Sequence, residues 1–246
     1  MALVNFTLQG KGGVGKSFVA TLLAQYYQPR DGELICLDTD PVNRSFGGYK
    51  AFGVENLTLG ERVDEINPRF FDALLEKILA APPDATIVVD NGASTFLPLL
   101  GYMVETRALT MVQDAGHEIR IHSIVTGGQG LTDTMEGLSQ VLKYFEDIPV
   151  VVWLNEYFGR VERQVGQQVQ TFEDSAIYRK NMDHIAALVR LPELRKETFG
   201  LDIATMLKAH LTFAEAVESE EFGVMSRQRL KMIWATMNST MVEAGL

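Results

Sequence analysis

Residues 3–17 read LVNFTLQGKGGVGKS, an apolar run of strand type that passes directly into a glycine-rich loop ending in glycine, lysine and serine. Gly10, four further residues, and Gly15-Lys16-Ser17 match the phosphate-loop spacing G-x-x-x-x-G-K-[ST], placed where that loop works, between a strand and a helix. Glycines let the backbone curl so that its N–H groups converge on phosphate oxygens. The helix that follows adds the positive end of its dipole, and Lys16 reaches the β- and γ-phosphates. Ser17 is expected to place its hydroxyl on Mg²⁺. Gly10, Gly12, Gly13, Val14, Gly15, Lys16, Ser17 and Phe18 are therefore the expected nucleotide-binding residues.

Outward from the loop, short apolar runs recur at 3–8, 33–37, 86–89, 108–112, 121–125, 149–154 and 185–191, with polar or helix-like segments between them. That alternation predicts an α/β fold, a mostly parallel sheet flanked by helices on both faces. Phe71, Leu74, Leu75 and Ile78 share one helical face, as do Leu131, Met135, Leu138, Leu142 and Phe145. The segment 225–242 aligns Leu230, Ile233, Trp234, Met237 and Met241, with Arg227, Arg229 and Lys231 near its start. It reads as a C-terminal helix packed on the sheet, and its basic start leaves a surface helix at a membrane as the alternative. No repeat, low-complexity tract or linker interrupts the chain, so residues 1–246 are expected to form one domain.

The 246 residues are 46% hydrophobic, enough for a buried core, and carry 22 basic against 32 acidic side chains. A net charge of −10 has the wrong sign for a protein that coats nucleic acid with its whole surface. The single cysteine, Cys36, excludes a disulfide framework within the chain and lies in the apolar stretch LICLD, where it is expected to pack as a small apolar residue. No signal-peptide pattern and no membrane-length apolar run is present, so a cytoplasmic protein is expected. The stretch DAGHEIRIH, residues 114–122, lacks the H-E-x-x-H spacing of a zinc helix, and His117 and His122 read as surface or partner contacts. No G-x-S-x-G elbow or plausible cysteine nucleophile supports covalent catalysis.

Lys11 is the residue a generic phosphate loop does not need. With it, residues 11–17 (KGGVGKS) resemble the deviant Walker A motif of the MinD/ParA class of P-loop ATPases, whose signature is that early lysine. The resemblance implies that two subunits sandwich two ATP molecules, with Lys11 of each reaching into the other's site as an arginine finger does in trans. It further implies switch I at Asp38-Thr39-Asp40-Pro41, where Asp40 orients or activates the attacking water and Asp38 helps hold magnesium. Lys11, Lys16 and Asp40 are thus the expected catalytic residues, and Ser17, Asp38 and Asp90 the expected metal-side residues, Asp90 closing the strand TIVVD. The chain departs from the class after Asp90, where Asn91-Gly92-Ala93-Ser94 replaces a proline-containing switch II. By the same resemblance Asn155 reads adenine and the loop opening with Pro192 and Glu193 closes over the base, an asparagine amide offering both a donor and an acceptor. No N-K-x-D segment of the GTP-binding type is present.

The stretches LQGKGGVGKSF, DTDPVN, VVDNGAS, IHSIVTGGQGL, VVWLNEYFG and LPELRKETFG further resemble the TraL proteins of conjugative plasmid transfer regions. That resemblance implies work beside relaxosome or other conjugation proteins in DNA transfer. Joined to the class mechanism above, it makes an ATP-dependent dimerisation switch with slow hydrolysis the preferred reading. The charge of −10 makes any DNA contact local or indirect, and the packed reading of 225–242 makes membrane contact not expected. A nucleotide-binding scaffold with negligible hydrolysis, or an ATP-dependent ligase of a small carboxylate, remain the alternatives.

Overall fold

The computed structural model describes residues 1–58 and 67–246. In chain order the elements are β1 (Leu3–Thr7), α1 (Lys16–Tyr27), β2 (Leu34–Asp38), β3 (Glu55–Asn56), α2 (Phe71–Leu79), β4 (Thr86–Asp90), α3 (Phe96–Thr106), α4 (Ala108–Asp114), β5 (Glu118–Thr126) and α5 (Leu131–Tyr144). They continue with β6 (Val150–Asn155), β7 (Glu162–Val165), β8 (Gln168–Thr171), α6 (Ala176–Asn181), β9 (Ile185–Leu191), α7 (Leu201–Lys208), α8 (Phe213–Glu218) and α9 (Val224–Glu243). Seven strands form one sheet in the order β3-β2-β4-β1-β5-β6-β9, and every recorded pairing in it is parallel.

Helices cover both faces because the strands bury both sides. Along β6, Val150, Val152 and Leu154 pack with α2, α3, α4 and α5 residues such as Leu74, Leu99, Val112 and Val141. Val151 and Trp153 turn to the opposite face, where α1, α7, α8 and α9 supply Leu22, Met206, Phe213 and Met237. Cys36 is buried on that second face, as its apolar surroundings predict.

One expected strand is a helix. Residues 108–112 lie in α4, which buries Ala108, Leu109 and Val112 and leaves Met111 exposed. That is the spacing of a helix face, and a five-residue apolar run cannot by itself separate the two periods. Arg107, left-handed at φ 52, ends α3 and restarts the chain as α4. The hairpin β7–β8, an antiparallel pair turning at Gly166 with φ 61, was not expected from the sequence, and nearly all of its residues are exposed.

The basic start of α9 is largely committed within the fold. Arg229 donates to both oxygens of the buried Asp202 of α7, at 2.5 and 3.2 Å, and Arg227 donates to the Ser219 carbonyl at 2.8 Å. Lys231 alone of the three is exposed. Among the described residues no helix is long and apolar enough to cross a membrane.

Candidate functional site

The parallel sheet brings its functional residues to one edge because strand C-termini align. Thr7 of β1 pairs in register with Asp90 of β4, and Asp90 with Asp38 of β2. On the other side Thr126, Asn155 and Leu191 are neighbours across β5, β6 and β9, which sets Pro192 and Glu193 just beyond Asn155. A ligand crevice at this edge is what an open α/β sheet provides.

The loop from Gly10 to Gly15 connects β1 to α1, and its Gly13 and Gly15 have φ 73 and 101, values that suit glycine. Gly10 is needed for space, since a Cβ there would sit 2.9 Å from the Phe96 ring. Lys16 opens α1 and is 7% exposed, and its ammonium donates to the Lys11 carbonyl at 3.1 Å. Burial lowers its pKa, and the charges of Asp90 and Asp40 work against that fall.

Asp90 is buried, accepts a hydrogen bond from the Thr7 hydroxyl at 3.0 Å, and has no hydrogen-bond partner for Oδ2. Burial pushes its pKa up to about 7; the nearby Ser17 hydroxyl eases ionisation without satisfying Oδ2. Asp38 is raised for the same first reason, and its two oxygens accept from the Asp40 N–H at 2.9 Å and the Gly47 N–H at 2.8 Å. Two buried acids, one with an orphaned oxygen and a hydroxyl beside it, form a donor set that suits a hard divalent cation held partly by phosphates. Asp40 is half-buried, and its Oδ1 accepts from the Val42 and Asn43 N–H groups at 2.9 and 3.0 Å.

The segment after Asp90, where the sequence departs from the MinD/ParA class it resembles, is tied by side chains. Asn91 is fully buried, and its Oδ1 accepts from the hydroxyls of Thr39 at 3.0 Å and Thr95 at 2.8 Å. Thr39 also donates to the Asp90 carbonyl. Gly92 packs on switch I so closely that a Cβ there would lie 2.8 Å from Asp40 Cγ. Thr39 and Asn91 lie inside the quoted motifs but were assigned no role by the sequence, and Thr95 lies outside them. Their polar side chains beside an acidic strand end are the signal that marks them.

Lys11 lies outside the cradle. Its ammonium pairs with Asp133, in the first turn of α5, at 2.7 Å, with both side chains about half exposed. The loop before α5 runs directly against the turn after β6: Cβ atoms at Gly127 and Gly128 would fall 2.2 Å from the Gly159 and Arg160 carbonyls and 2.8 Å from the Phe158 carbonyl.

Asn155 turns out to be a fastener of the phosphate loop. Its Nδ2 donates to the Val14 carbonyl at 2.9 Å, and its Oδ1 accepts from the Tyr157 N–H at 3.1 Å. One amide N–H and one lone pair remain for a ligand. Pro192 is half-buried and Glu193 exposed. Next to the loop, a cleft of about 640 Å³ is lined by phosphate-loop residues, Asp40, Asn43, Ser45 and Tyr49, and by Leu207 and Lys208 at the end of α7 with His210 just beyond it, a wall that carries no sequence motif.

His122, expected at the surface, is fully buried in the sheet. The Trp153 indole N–H donates to its Nδ1 at 2.9 Å, so its Nε2 carries the proton and donates to Asn5 Oδ1 at 3.0 Å. Burial, with help from the Arg120 charge, lowers its pKa to about 3. Among the described residues no three His, Cys, Asp or Glu side chains converge to hold a metal ion by themselves.

The chain matches no family model. It is similar to two Escherichia coli proteins named TraL, each 43% identical over 234 residues, which cover 95% of this chain and 94% of the relative. Among solved structures it is similar to the septum site-determining protein MinD of Pyrococcus horikoshii OT3 complexed with Mg-ADP, with TM-score 0.52, 17% identity and 96% of each chain covered. It is also similar to a MinC:MinD cell division protein complex of Aquifex aeolicus, with TM-score 0.50, 14% identity, and 97% and 96% of the two chains covered. At these identities the structural likeness shows the fold alone, a parallel sheet with helices on both faces as in those MinD structures.

Proposed function

The chain belongs to the TraL family, and on that premise we propose that it is a cytoplasmic ATP-dependent dimerisation switch with slow hydrolysis, acting beside conjugation proteins in plasmid DNA transfer. The observation that carries this reading is the placement of the two loop lysines. Lys16 is buried against Asp90 and Asp40, while Lys11 stands outside on an exposed pair with Asp133. An exposed pair of that kind is worth about 1 kcal/mol or less, so Lys11 is held lightly and is free to serve a second subunit.

In this reading the loop N–H groups and Lys16 hold the phosphates, with Ser17, Asp38 and Asp90 on the Mg²⁺ side. Mg²⁺, when bound, neutralises charge on the phosphate oxygens. Asp90, poised near neutrality by burial, ionises as positive charge arrives. Asp40 has its Oδ1 fixed by two backbone N–H groups, which leaves Oδ2 to accept a hydrogen bond from the attacking water. Lys11 of the second subunit adds positive charge to the transferring phosphoryl group. Asn155, Pro192 and Glu193 border the base.

Light scattering on the wild type and Lys11→Ala, with ADP and with ATP in an Asp40→Ala background that slows turnover, tests the switch. ATP is expected to double the mass only when Lys11 is present. A mass indifferent to nucleotide while ATP still binds would refute the dimer switch. The charge of −10 supports DNA contact through a partner rather than by this chain's own surface.

A further inference from the structure

Helix α7 ends in a Schellman turn: the Leu211 N–H donates to the Met206 carbonyl and the His210 N–H to the Leu207 carbonyl, each at 3.1 Å. His210 occupies the left-handed position of that turn at φ 51. Glycine is the residue favoured there, because a Cβ is strained in this conformation. Histidine holds the position instead, and its ring has a specific place. It meets Tyr49 edge-on, with centroids 5.4 Å apart and planes at 88°. A Cβ on Gly48 would lie 2.5 Å from its Nδ1, and that nitrogen is buried with no hydrogen-bond partner. From the other side Asn56 presses on Gly47, where a Cβ would be 2.1 Å from Oδ1. The segment that follows switch I is thus clamped at two side-chain-free residues, Gly47 and Gly48, and the N–H of Gly47 is one of the two that orient Asp38.

We propose that His210 is a positioning residue for switch I, fixing the Gly47–Gly48 segment and, through the Gly47 N–H, the Asp38 carboxylate on the metal side of the site. The inference rests on the nucleotide reading above. The helix-ending turn accounts for the left-handed backbone, but not for a histidine there in place of glycine or for a buried Nδ1 without a partner; a site role accounts for both. The chain from Pro192 to His210 also runs from beside Asn155 to switch I, so one segment joins the base side of the site to its carboxylate side.

Two variants separate this role from a structural one. His210→Gly removes the ring and the left-handed strain, so the full chain is expected to melt at or above the wild-type temperature; His210→Asn keeps a polar residue tolerant of that backbone. A fluorescent ATP analogue is titrated with Mg²⁺, and ADP is titrated in EDTA. In both variants the Mg²⁺ needed for half-maximal ATP binding is expected to rise about tenfold, the low end for outer-shell partners of a metal. ADP affinity in EDTA is expected to stay unchanged. Gly48→Ala should act in the same direction by evicting the ring, and Gly48→Ala/His210→Gly should be no worse than His210→Gly alone. Wild-type Mg²⁺ dependence in both His210 variants would overturn the proposal. So would an equal loss of ATP and metal-free ADP binding, since the ring would then support the whole cleft. A wild type that binds ADP and ATP no better than Lys16→Ala would sink the nucleotide reading itself, and the proposal with it.

Discussion

Replacing Asp90 by asparagine should stabilise the protein and disable its site. The carboxyl is buried and its pKa lies near 7 in the fold, against about 3.9 in an unfolded chain. Between those values the unfolded chain has lost a proton that the folded one keeps, so stability falls as pH rises through the window. With a folded value of about 7, linkage puts the cost between about 1 and 2 kcal/mol at pH 5 and near 4 kcal/mol at pH 7.5. Asparagine is nearly isosteric, can still accept from Thr7, and carries no charge, so Asp90→Asn escapes this cost. In EDTA its stability advantage over wild type should therefore grow by about 2 kcal/mol between pH 5 and 7.5, or roughly 4–8 °C in Tm for a chain of this size. Urea or thermal melts of both proteins at the two pH values measure that double difference, in which the titrating groups not coupled to Asp90 cancel. Addition of Mg²⁺ and ATP should then raise the wild-type Tm and leave Asp90→Asn where it was. An advantage that stays flat or shrinks with rising pH would refute the account of the buried carboxyl.

His122 works in the opposite sense: its folded pKa is held down to about 3 by burial, so the unfolded chain alone takes the proton below about 6.5. Stability should fall as pH drops from there toward 3, and a His122→Asn variant should show a shallower acid slope in the same melts. Gly92→Ala, whose Cβ would sit 2.8 Å from Asp40 Cγ, should leave nucleotide affinity within about twofold while lowering kcat about tenfold or more, since a small misplacement of a catalytic group is enough. Equal kcat would show that Asp40 does not need the close packing. Asn155→Ala removes the donor to the Val14 carbonyl, and should weaken ADP and ATP alike and cost about 1–2 kcal/mol in urea melts. Replacing the hairpin tip 165–168 by Gly-Ser should leave the Tm within a few degrees, because its residues are exposed.

The motif residues were legible because phosphate chemistry restricts spacing. The Gly10–Ser17 loop, Asp38, Asp40, Asp90 and Asn155 all come to one sheet edge, as strand-end positions in a parallel sheet must. The 108–112 run misled because five apolar residues fit either period, and only the burial of Leu109 with Val112 decides for a helix. His122 looked like a surface residue because its partners Asn5 and Trp153 lie on other strands, 117 and 31 residues away. His210 left no trace in sequence for the same reason: a helix-ending turn and a switch loop meet only in three dimensions. The basic triplet in α9 read as a patch, and Arg229 is instead matched to an aspartate 27 residues earlier.

Gly127 and Gly128 touch the 158–160 turn backbone to backbone, which has a mechanical consequence. No side chain stands between the two loops to rearrange and absorb a displacement, so they are expected to travel as one rigid piece. The first loop leads into the α5 turn that carries Asp133 and holds Lys11; the second follows Asn155 and its fastening to Val14. On the proposed reading, a base that shifts the second loop would thereby tug on Asp133, which parks Lys11, and the release of Lys11 would be timed by the base as well as by the phosphates.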